Sequence, residues 1–239
     1  MKLSYDLHIH SCLSPCGDND MTPNNIVNMA ILNGLDVIAL TDHNSCKNCP
    51  AFLEAAQRSG ILAIPGMGLC TSEEIHVVCL FPELRQAMAF DREVYQYVPP
   101  IKNDPRIFGE QLILDGEDRQ IGQEERLLIN ASSIPIDGVG PLVSRFGGFC
   151  FPAHVDKDAY SVLSSLGFIP PECGFTTVEV KNPDRFFAVP ENLQKIKGML
   201  AVTDSDAHYL WDIADGQRFL DPQACSARSV LEYLRRGGA

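Results

Sequence analysis

The sequence lacks several features that would place it in a membrane, secreted or disordered class. No apolar run approaches the roughly 20 residues that a membrane-spanning helix needs, and the first residues show no apolar stretch of the signal-peptide type. Internal repeats and low-complexity tracts are absent as well. The nine cysteines are an odd number in a chain of 239 residues, which favours reduced thiols over a disulfide framework. We therefore expect a cytoplasmic protein.

Basic residues are scarce. The chain has 19 Lys and Arg against 31 Asp and Glu, a formal net charge of -12, and its pI is near 4.8. Such a chain repels phosphate backbones, so we expect a nucleic-acid polymer to be an improbable partner. A small phosphorylated substrate meets the same repulsion, so a phosphate site needs metal ions or placed basic side chains. With 45% hydrophobic residues, the composition is otherwise that of an ordinary globular protein.

Short apolar runs alternate with helical stretches, which is the pattern of an α/β protein. The seven predicted strands span residues 6–10, 37–41, 62–65, 76–81, 149–153, 177–180 and 200–203. Helices are predicted between several of them. Thr22 and Pro23 form an N-cap and first-turn pair, Gly34 and Gly60 each end a helix, and a last helix covers residues 227–236.

One stretch, residues 91–133, breaks this rhythm because it contains several prolines and a turn-like acidic segment. We interpret residues 1–239 as a single domain in which this stretch is an elaboration, a helix and a hairpin beside the main sheet. It could cover the active site and help to select substrate.

The six histidines share one kind of location, because each lies in or just after a predicted strand. They are His8, His10, His43, His76, His154 and His208. The carboxyl ends of strands build the ligand sites of α/β proteins. Strand alternation puts His8 and His10 on one face, with Leu7 and Ile9 on the other. Taken singly, each histidine also fits a surface or hydrogen-bonded core residue, but the set predicts a shared site.

Carboxylates accompany these imidazoles. Asp42 precedes His43, and Asp206 shares a face with His208 in a segment that also contains Asp204. A mixture of imidazole and carboxylate suits Zn, Mn or Fe better than Ca or Mg. Eight or more such ligands exceed what one ion needs, so two or three divalent ions are predicted.

These motifs, in this order, resemble those of the PHP family of polymerase and histidinol phosphatase domains. The resemblance rests on segments 6–11, 41–43, 64–66, 76–78, 152–154 and 205–208, and on Asp18 ahead of Thr22 and Pro23. Within the family, the chain is most similar to stand-alone phosphoesterases. The resemblance implies a distorted (β/α)7 barrel with a trinuclear metal site, and hydrolysis of a small phosphorylated metabolite or nucleotide by a metal-activated water. A histidinol-phosphatase-like enzyme is the alternative within the family.

The resemblance also implies a role for each matching residue. The implied ligands are His8, His10 and Asp206 for a first ion, His76 and His154 for a second, and Asp18, His43 and His208 for a third. His43, Asp206 and His208 would form the catalytic centre. Asp42 and Asp204 would orient imidazoles.

One position departs from the family pattern. Gly68 stands where the family usually has a glutamate that bridges two ions, and glycine offers no ligand. Glu73 or Glu74 is a candidate substitute, although both also fit a solvated turn. The gap leaves a second function open, a catalytically weakened metal-binding protein with a sensing or accessory role. It also predicts that Gly68→Glu raises metal occupancy and rate.

Weaker signals concern the cations and thiols. Lys181, Lys157 and Arg185 are candidate contacts for substrate phosphate, with solvated surface charges as the alternative. Cys46 and Cys49 have C-x-x-C spacing, which is found in redox and zinc sites. No second pair accompanies them, so we favour ordinary thiols.

Overall fold

The structure is a computed structural model that describes residues 1–238. The strands are β1 (Leu3–Ile9), β2 (Val37–Leu40), β3 (Leu62–Cys70), β4 (His76–Leu80), β5 (Leu112–Leu114), β6 (Gln120–Gln123), β7 (Phe149–Pro152), β8 (Thr177–Glu179), β9 (Leu200–Val202) and β10 (Phe219–Leu220). The helices are α1 (Pro23–Leu32), α2 (Cys49–Ser59), α3 (Leu84–Val94), α4 (Pro105–Phe108), α5 (Ile136–Arg145), α6 (Val162–Leu166), α7 (Pro183–Phe187), α8 (Pro190–Lys195) and α9 (Ala227–Arg235).

A curled six-stranded sheet organises the fold, in the order β10-β1-β2-β3-β4-β7. Strands β1, β2 and β3 are parallel, whereas β4 and β7 each run antiparallel to the preceding neighbour. Strands β8 and β9 form a separate parallel pair. Two links join this pair to the larger sheet. Val155, after β7, donates its N–H to Glu179 O of β8 at 2.8 Å, and Ile9 of β1 bridges Ala207, after β9.

All seven strands predicted from the sequence are present, as β1, β2, β3, β4, β7, β8 and β9. The mixed α/β class is therefore confirmed. The ladders form a six-stranded and a two-stranded sheet, so the seven-stranded count of a (β/α)7 barrel stays a prediction.

Two hydrophobic clusters pack the faces of the sheet. One lies between the sheet and the helices on its outside, and includes Ile26 of α1, Phe52 of α2 and Phe90 of α3. The other fills the opposite face and is covered by α9, whose Val230 and Leu234 are fully buried. Burying such side chains is worth roughly 1.5–3 kcal/mol each. This packing fixes the strand ends that carry the polar residues.

Strand β1 departs from the simple alternation that its sequence predicts. Leu7 belongs to the cluster under α9, whereas Ile9 belongs to the cluster under the outer helices. The expectation that both share one face is wrong, because the β1–β2 register shifts between Asp6 and Ile9.

The helix boundaries follow the predicted signals. The Thr22 side chain accepts a hydrogen bond from Asn25 N, and Pro23 is the first helical residue, a cap worth about 1 kcal/mol. Gly34 and Gly60 adopt positive φ just past α1 and α2. None of the helices in the described residues is both long and apolar enough to cross a bilayer.

The stretch 91–133 contains the end of α3, the short helix α4 and the β5–β6 hairpin. It contacts the loops that follow β1 and β2. Asn44 donates to the carbonyls of Leu128 and Asn130 at 2.8 and 2.9 Å, and Leu112 N donates to Cys12 O at 2.9 Å. The segment thus supports the loops next to His10 and His43, and its role as an elaboration of one domain stays a prediction.

Candidate metal centre

One edge of the sheet gathers the polar residues. The parallel strands β1, β2, β8 and β9 all end there, β7 ends there, and β4 begins there because it runs the opposite way. Five imidazole rings form a closed loop at this edge, with neighbouring centroids 4.3–5.9 Å apart, and a sixth lies against it. The loop runs His8, His10, His43, His76, His154 and back to His8, and His208 stacks on His10.

Three donor atoms converge most tightly. His8 Nε2 and His10 Nε2 are 3.1 Å apart, and they lie 3.4 and 3.3 Å from Asp206 Oδ1. Ligands at about 2.0–2.1 Å around a tetrahedral ion lie roughly 3.3–3.4 Å from one another. The separations therefore match one face of a tetrahedral site, and all three side chains are buried.

The far nitrogens of the two imidazoles are held in place. His8 Nδ1 lies 2.6 Å from Glu179 Oε2, and His10 Nδ1 lies 3.0 Å from Ser14 Oγ. A neutral imidazole that donates Nδ1–H to its partner directs the Nε2 lone pair into the site. Three lone pairs then face one point, an arrangement that needs a cation or a proton between them.

Glu179 is a site residue that sequence reasoning missed. It is fully buried at the end of β8, and its Oε1 has no hydrogen-bond partner among the described residues. A carboxylate between Val178 and Val180 in an apolar strand is the signal that could have identified it. Burial opposes charge on His8, but the fields of Glu179 and Asp206 outweigh it and raise the pKa of His8 to about 9.

A second group of donors overlaps the first. His10, His43 and His208 each bring a ring nitrogen within 4.8 Å of the others. Burial and the neighbouring His208 hold the pKa of His10 well below its usual range. Burial and the surrounding imidazoles do the same for the pKa of His43. Both rings are therefore neutral at neutral pH, which is the form that ligates metal.

His76 and His154 lie on the far side of the loop. Neither belongs to the two tight donor groups found among residues 1–238. Burial lowers the pKa of His76 to about 4 and holds the pKa of His154 well below its usual range. The Nδ1 atoms of His43 and His154 are buried without a hydrogen-bond partner in the described structure. Such orphaned nitrogens are costly in a folded protein unless something else binds them.

Gly68 lies beside His43 and His10. It pairs with His43 in an isolated parallel bridge, and a Cβ added to it would lie 3.6 Å from His10 Cε1. The same Cβ would lie only 2.8 Å from the backbone oxygen of Thr41. A side chain at this position therefore faces the site, but the strand must shift to admit it.

The candidate substitute glutamates do not reach the donors. Glu73 accepts a hydrogen bond from Ile136 N at the start of α5, and Glu74 is exposed in the turn before β4 with a φ of 60°. The run of β3 ends at Cys70, so strand parity does not extend to these residues. The structure leaves the slot of Gly68 without a carboxylate.

The other predicted aspartates act at a distance from the rings. Asp42 accepts from Ser14 Oγ at 2.7 Å and reaches His10 only through that hydroxyl. Asp204 accepts from Leu7 N at 2.7 Å. Asp18 bonds through its backbone to His208 O, but its carboxylate accepts from Asp20 N and is in neither donor group.

Backbone strain is concentrated at this edge. His154 and Asp206 have φ values of 31° and 50°, and Tyr160, which stacks on His76 at 4.7 Å, has a φ of 54°. Non-glycine residues rarely adopt this region, and each costs of order 1–3 kcal/mol. The fold therefore holds these side chains in place against a local cost.

The predicted cations lie around the mouth. The Lys157 ammonium is 2.5 Å from Asp206 Oδ2 and its side chain is 40% exposed. The Lys181 ammonium contacts Ser205 O and so lies beside the same loop. Arg185 lines a neighbouring cleft together with Lys157. Of the three, the structure brings Lys157 into direct contact with the donor groups.

The thiols take no part in the donor groups. All nine cysteines, each in the described part of the chain, are free. Cys46 and Cys49 are buried with both sulfurs near Gly66 O. Burial raises the pKa of Cys12 and of Cys16 to about 12, so neither is a ready thiolate ligand.

The donor atoms of the site fit a divalent transition metal. Matched donor separations, the neutral imidazoles of His10 and His43, and orphaned buried nitrogens all favour it. His8, His10 and Asp206 would hold one ion, and His43 and His208 offer donors for another. The identity and number of the ions remain predictions.

Comparison with known proteins gives one family and several relatives. The sequence profile described as "PHP domain" matches residues 6–165. The "5'-3' exoribonuclease Rnm" of Salmonella typhimurium is 34% identical over 99 residues, a match that covers 37% of this chain and 33% of that protein.

Solved structures share the fold. An Endonuclease Q in complex with a 27-mer duplex substrate, with an abasic lesion at the active site, superposes with a TM-score of 0.70 and 16% identity over 100% of this chain and 58% of its own. A putative metal-dependent phosphoesterase from Bifidobacterium adolescentis superposes with a TM-score of 0.60 and 17% identity, over 98% and 96% of the two chains. The chain thus spans a third of the exoribonuclease and little more than half of the endonuclease.

These comparisons correct the expectation about partners. The prediction that a nucleic-acid polymer is improbable, and a small phosphorylated molecule the partner, was wrong, because the relatives include an exoribonuclease and an endonuclease bound to a duplex. The physical reason is that the net charge of -12 sums over the whole surface. A substrate responds instead to the local potential, which converging metal donors and nearby cations determine.

Proposed function

The chain belongs to the PHP domain family, and from that premise we propose that it is a metal-dependent hydrolase of phosphodiester bonds in nucleic acid. The observation that carries the proposal is the triangle of His8 Nε2, His10 Nε2 and Asp206 Oδ1, with sides of 3.1–3.4 Å. The exoribonuclease relative supports the substrate class, although its match covers only a third of that protein.

Two or three ions of Zn, Mn or Fe are the proposed cofactors, because imidazole and carboxylate together suit these metals. When bound, such ions supply Lewis-acid stabilisation of a phosphoryl group and lower the pKa of a coordinated water. The rest of the chemistry falls to the side chains of the chain itself. His8 and His10 are fixed by Glu179 and Ser14, so their donor atoms need little reorganisation.

Lys157 completes the site on the solvent side. Its ammonium pairs with Asp206 and its side chain is partly exposed. It can therefore contact a non-bridging phosphate oxygen while it stays paired with Asp206. The Nδ1 atom of His208 lies 2.9 Å from the backbone oxygen of Asp206, so Nε2 stays free for a ligand or a proton. Asp206, His208 and His43 remain the proposed catalytic residues.

A second candidate function is a metal-binding accessory or sensor protein with weakened catalysis. Gly68 favours it, because glycine offers no ligand at this position, and among residues 1–238 neither His76 nor His154 belongs to a tight donor group. The two functions predict the same metal uptake and different turnover.

Cleavage of a 5'-labelled oligoribonucleotide by the full chain, with Mn or Zn added, separates them. We expect shortened products that disappear with a chelator and in the His10→Ala variant. A protein that takes up metal yet leaves single-stranded RNA, single-stranded DNA and an abasic duplex intact would contradict the hydrolase and support the accessory role.

A further inference from the structure

A cleft of about 310 Å³ opens beside the ring of histidines. Its walls are the loop after β7, helix α6 and helices α7 and α8. Lys157 contributes to this cleft and also contacts Asp206, so the cleft communicates directly with the donor groups. A strand whose scissile phosphate lies at those donors would place its neighbouring nucleotide here.

In the lining of the cleft cations outnumber anions, whereas in the whole protein anions outnumber cations. Three cations line the cleft, Lys157, Arg185 and Lys195, in a chain whose net charge is -12. The side chains of Arg185 and Lys195 make no hydrogen bond or ion pair with any of residues 1–238. Two aspartates, Asp156 and Asp158, also line the cleft, and the Asp156 carboxylate accepts from the N–H groups of residues 181 and 182, at 2.7 and 2.8 Å. The two free cations are therefore available to an anion.

Part of the lining of the cleft is apolar. Leu163, Phe186 and Val189 contribute it, and two amides, Asn182 and Asn192, also line the cleft. Asn192 donates to Phe186 O at 3.1 Å, which ties α8 to α7 and keeps the wall in place. Apolar faces next to amides suit a nucleobase, which presents a flat ring and polar edges.

We propose that this cleft is the subsite for the unpaired nucleotide that adjoins the scissile phosphate. Arg185 and Lys195 bind its backbone phosphate, and the base lies against the wall of Leu163 and Val189. The volume is at the lower end of the roughly 300–1,000 Å³ of ligand sites, which fits one nucleotide and no more. The inference rests on the proposed function, since it assigns a place to part of that substrate.

Binding of a fluorescein-labelled eight-nucleotide RNA to the metal-free protein tests the cleft without turnover. Anisotropy is measured in a chelator over a range of salt for the wild type, Arg185→Glu and Lys195→Glu. We expect Kd to rise about 10-fold or more for each, and the salt slope to fall by roughly 0.7 for each lost phosphate contact.

The matched control is Arg85→Glu, which makes the same charge change on α3, where Arg85 is paired with Glu83 outside the cleft. It should change Kd less than about 2-fold by general repulsion alone. Circular dichroism and thermal unfolding of each variant establish that it is folded. Equal losses in Arg185→Glu and Arg85→Glu would overturn the proposal.

Competition distinguishes a nucleotide from a phosphate site. Adenosine monophosphate should displace the labelled RNA at a concentration about 10-fold lower than inorganic phosphate, because only the nucleotide reaches the apolar wall. Equal potency would overturn the nucleotide assignment. If RNA binds through Arg185 but no metal brings about cleavage, the result contradicts the proposed hydrolase activity and supports the proposed nucleotide subsite.

Discussion

The two sides of the ring of histidines differ in their carboxylates. The carboxylate-rich side consists of His8, His10, Asp206 and Glu179, and the carboxylate-poor side consists of His43, His76 and His154. On the first side each Nδ1 has a partner and the donor atoms lie within 3.4 Å. On the second, two Nδ1 atoms are orphaned and no described carboxylate hydrogen-bonds to a ring. The fold therefore brings imidazoles together on both sides, but the donor atoms converge tightly only on the side that has carboxylates.

The largest expected effect comes from His10→Ala, because His10 belongs to both donor groups. Loss of an imidazole partner typically costs 10–100-fold in metal affinity or activity, and loss of a shared ligand should exceed about 100-fold. Elemental analysis and RNA cleavage measure it. His154→Ala, on the carboxylate-poor side, is the comparison and should cost less; equal losses would erase the difference between the sides.

Glu179→Gln should lower metal affinity by about 10–100-fold, because the amide cannot fix His8 as the carboxylate does. A titration with Zn or Mn against a competing chelator measures the change. Glu74→Gln is the matched control, since that glutamate is exposed in its turn. Were Glu74→Gln to weaken binding as much, the turn glutamates would be ligands after all.

Gly68→Glu adds a carboxylate to the poor side, and the sequence alone predicts a gain in metal occupancy and rate. The structure adds a cost, because the new Cβ lies 2.8 Å from Thr41 O. We expect the metal-free variant to lose about 1–3 kcal/mol of unfolding free energy, measured in urea, while taking up more metal. Gly68→Ala carries the same strain without the ligand, so a gain shared by both variants would refute the bridging role.

The smallest effect concerns pH in the metal-free protein. Burial lowers the pKa values of His43, His76 and His154, so below about pH 6.5 the unfolded chain binds more protons and stability falls as pH falls. His8 acts in the opposite sense. Its pKa near 9 means that the folded state binds the extra proton, so its contribution is lost as pH rises from about 6.5 to 9.

Each titrating imidazole contributes a slope of at most about 1.4 kcal/mol per pH unit. Urea unfolding in chelator from pH 5 to 9 measures both limbs. Glu179→Gln should flatten the alkaline limb and leave the acid limb unchanged. An alkaline limb that survives this change would show that His8 does not depend on its carboxylate.

Much of the fold could be predicted because apolar runs bounded by turn residues mark buried strands. The elements that the sequence did not predict lack such a pattern for physical reasons. The β5–β6 hairpin is short and largely polar, and β10 has two residues, so neither produces an apolar pattern. The bulge in β1 depends on pairing with β2, which no local signal reports.

The placement of the histidines could also be predicted, because strand ends meet whatever their order in the chain. The apolar neighbours of Glu179 mark it as unusual in the sequence, but its partner His8 is evident only from the structure. The proposed nucleic-acid substrate was not expected from the sequence, because the net charge sums over the whole surface and does not report the local potential at the site. The ligand roles and the domain boundaries stay predictions.

The positive φ values at His154 and Asp206 have a consequence for any attempt to make this protein more heat-resistant. A selection that rewards thermal survival alone would favour substitutions that let these two backbones relax, such as glycine. Each such gain removes an imidazole or a carboxylate from the pocket. The most thermostable descendants should therefore be the first to lose their capacity to hold ions.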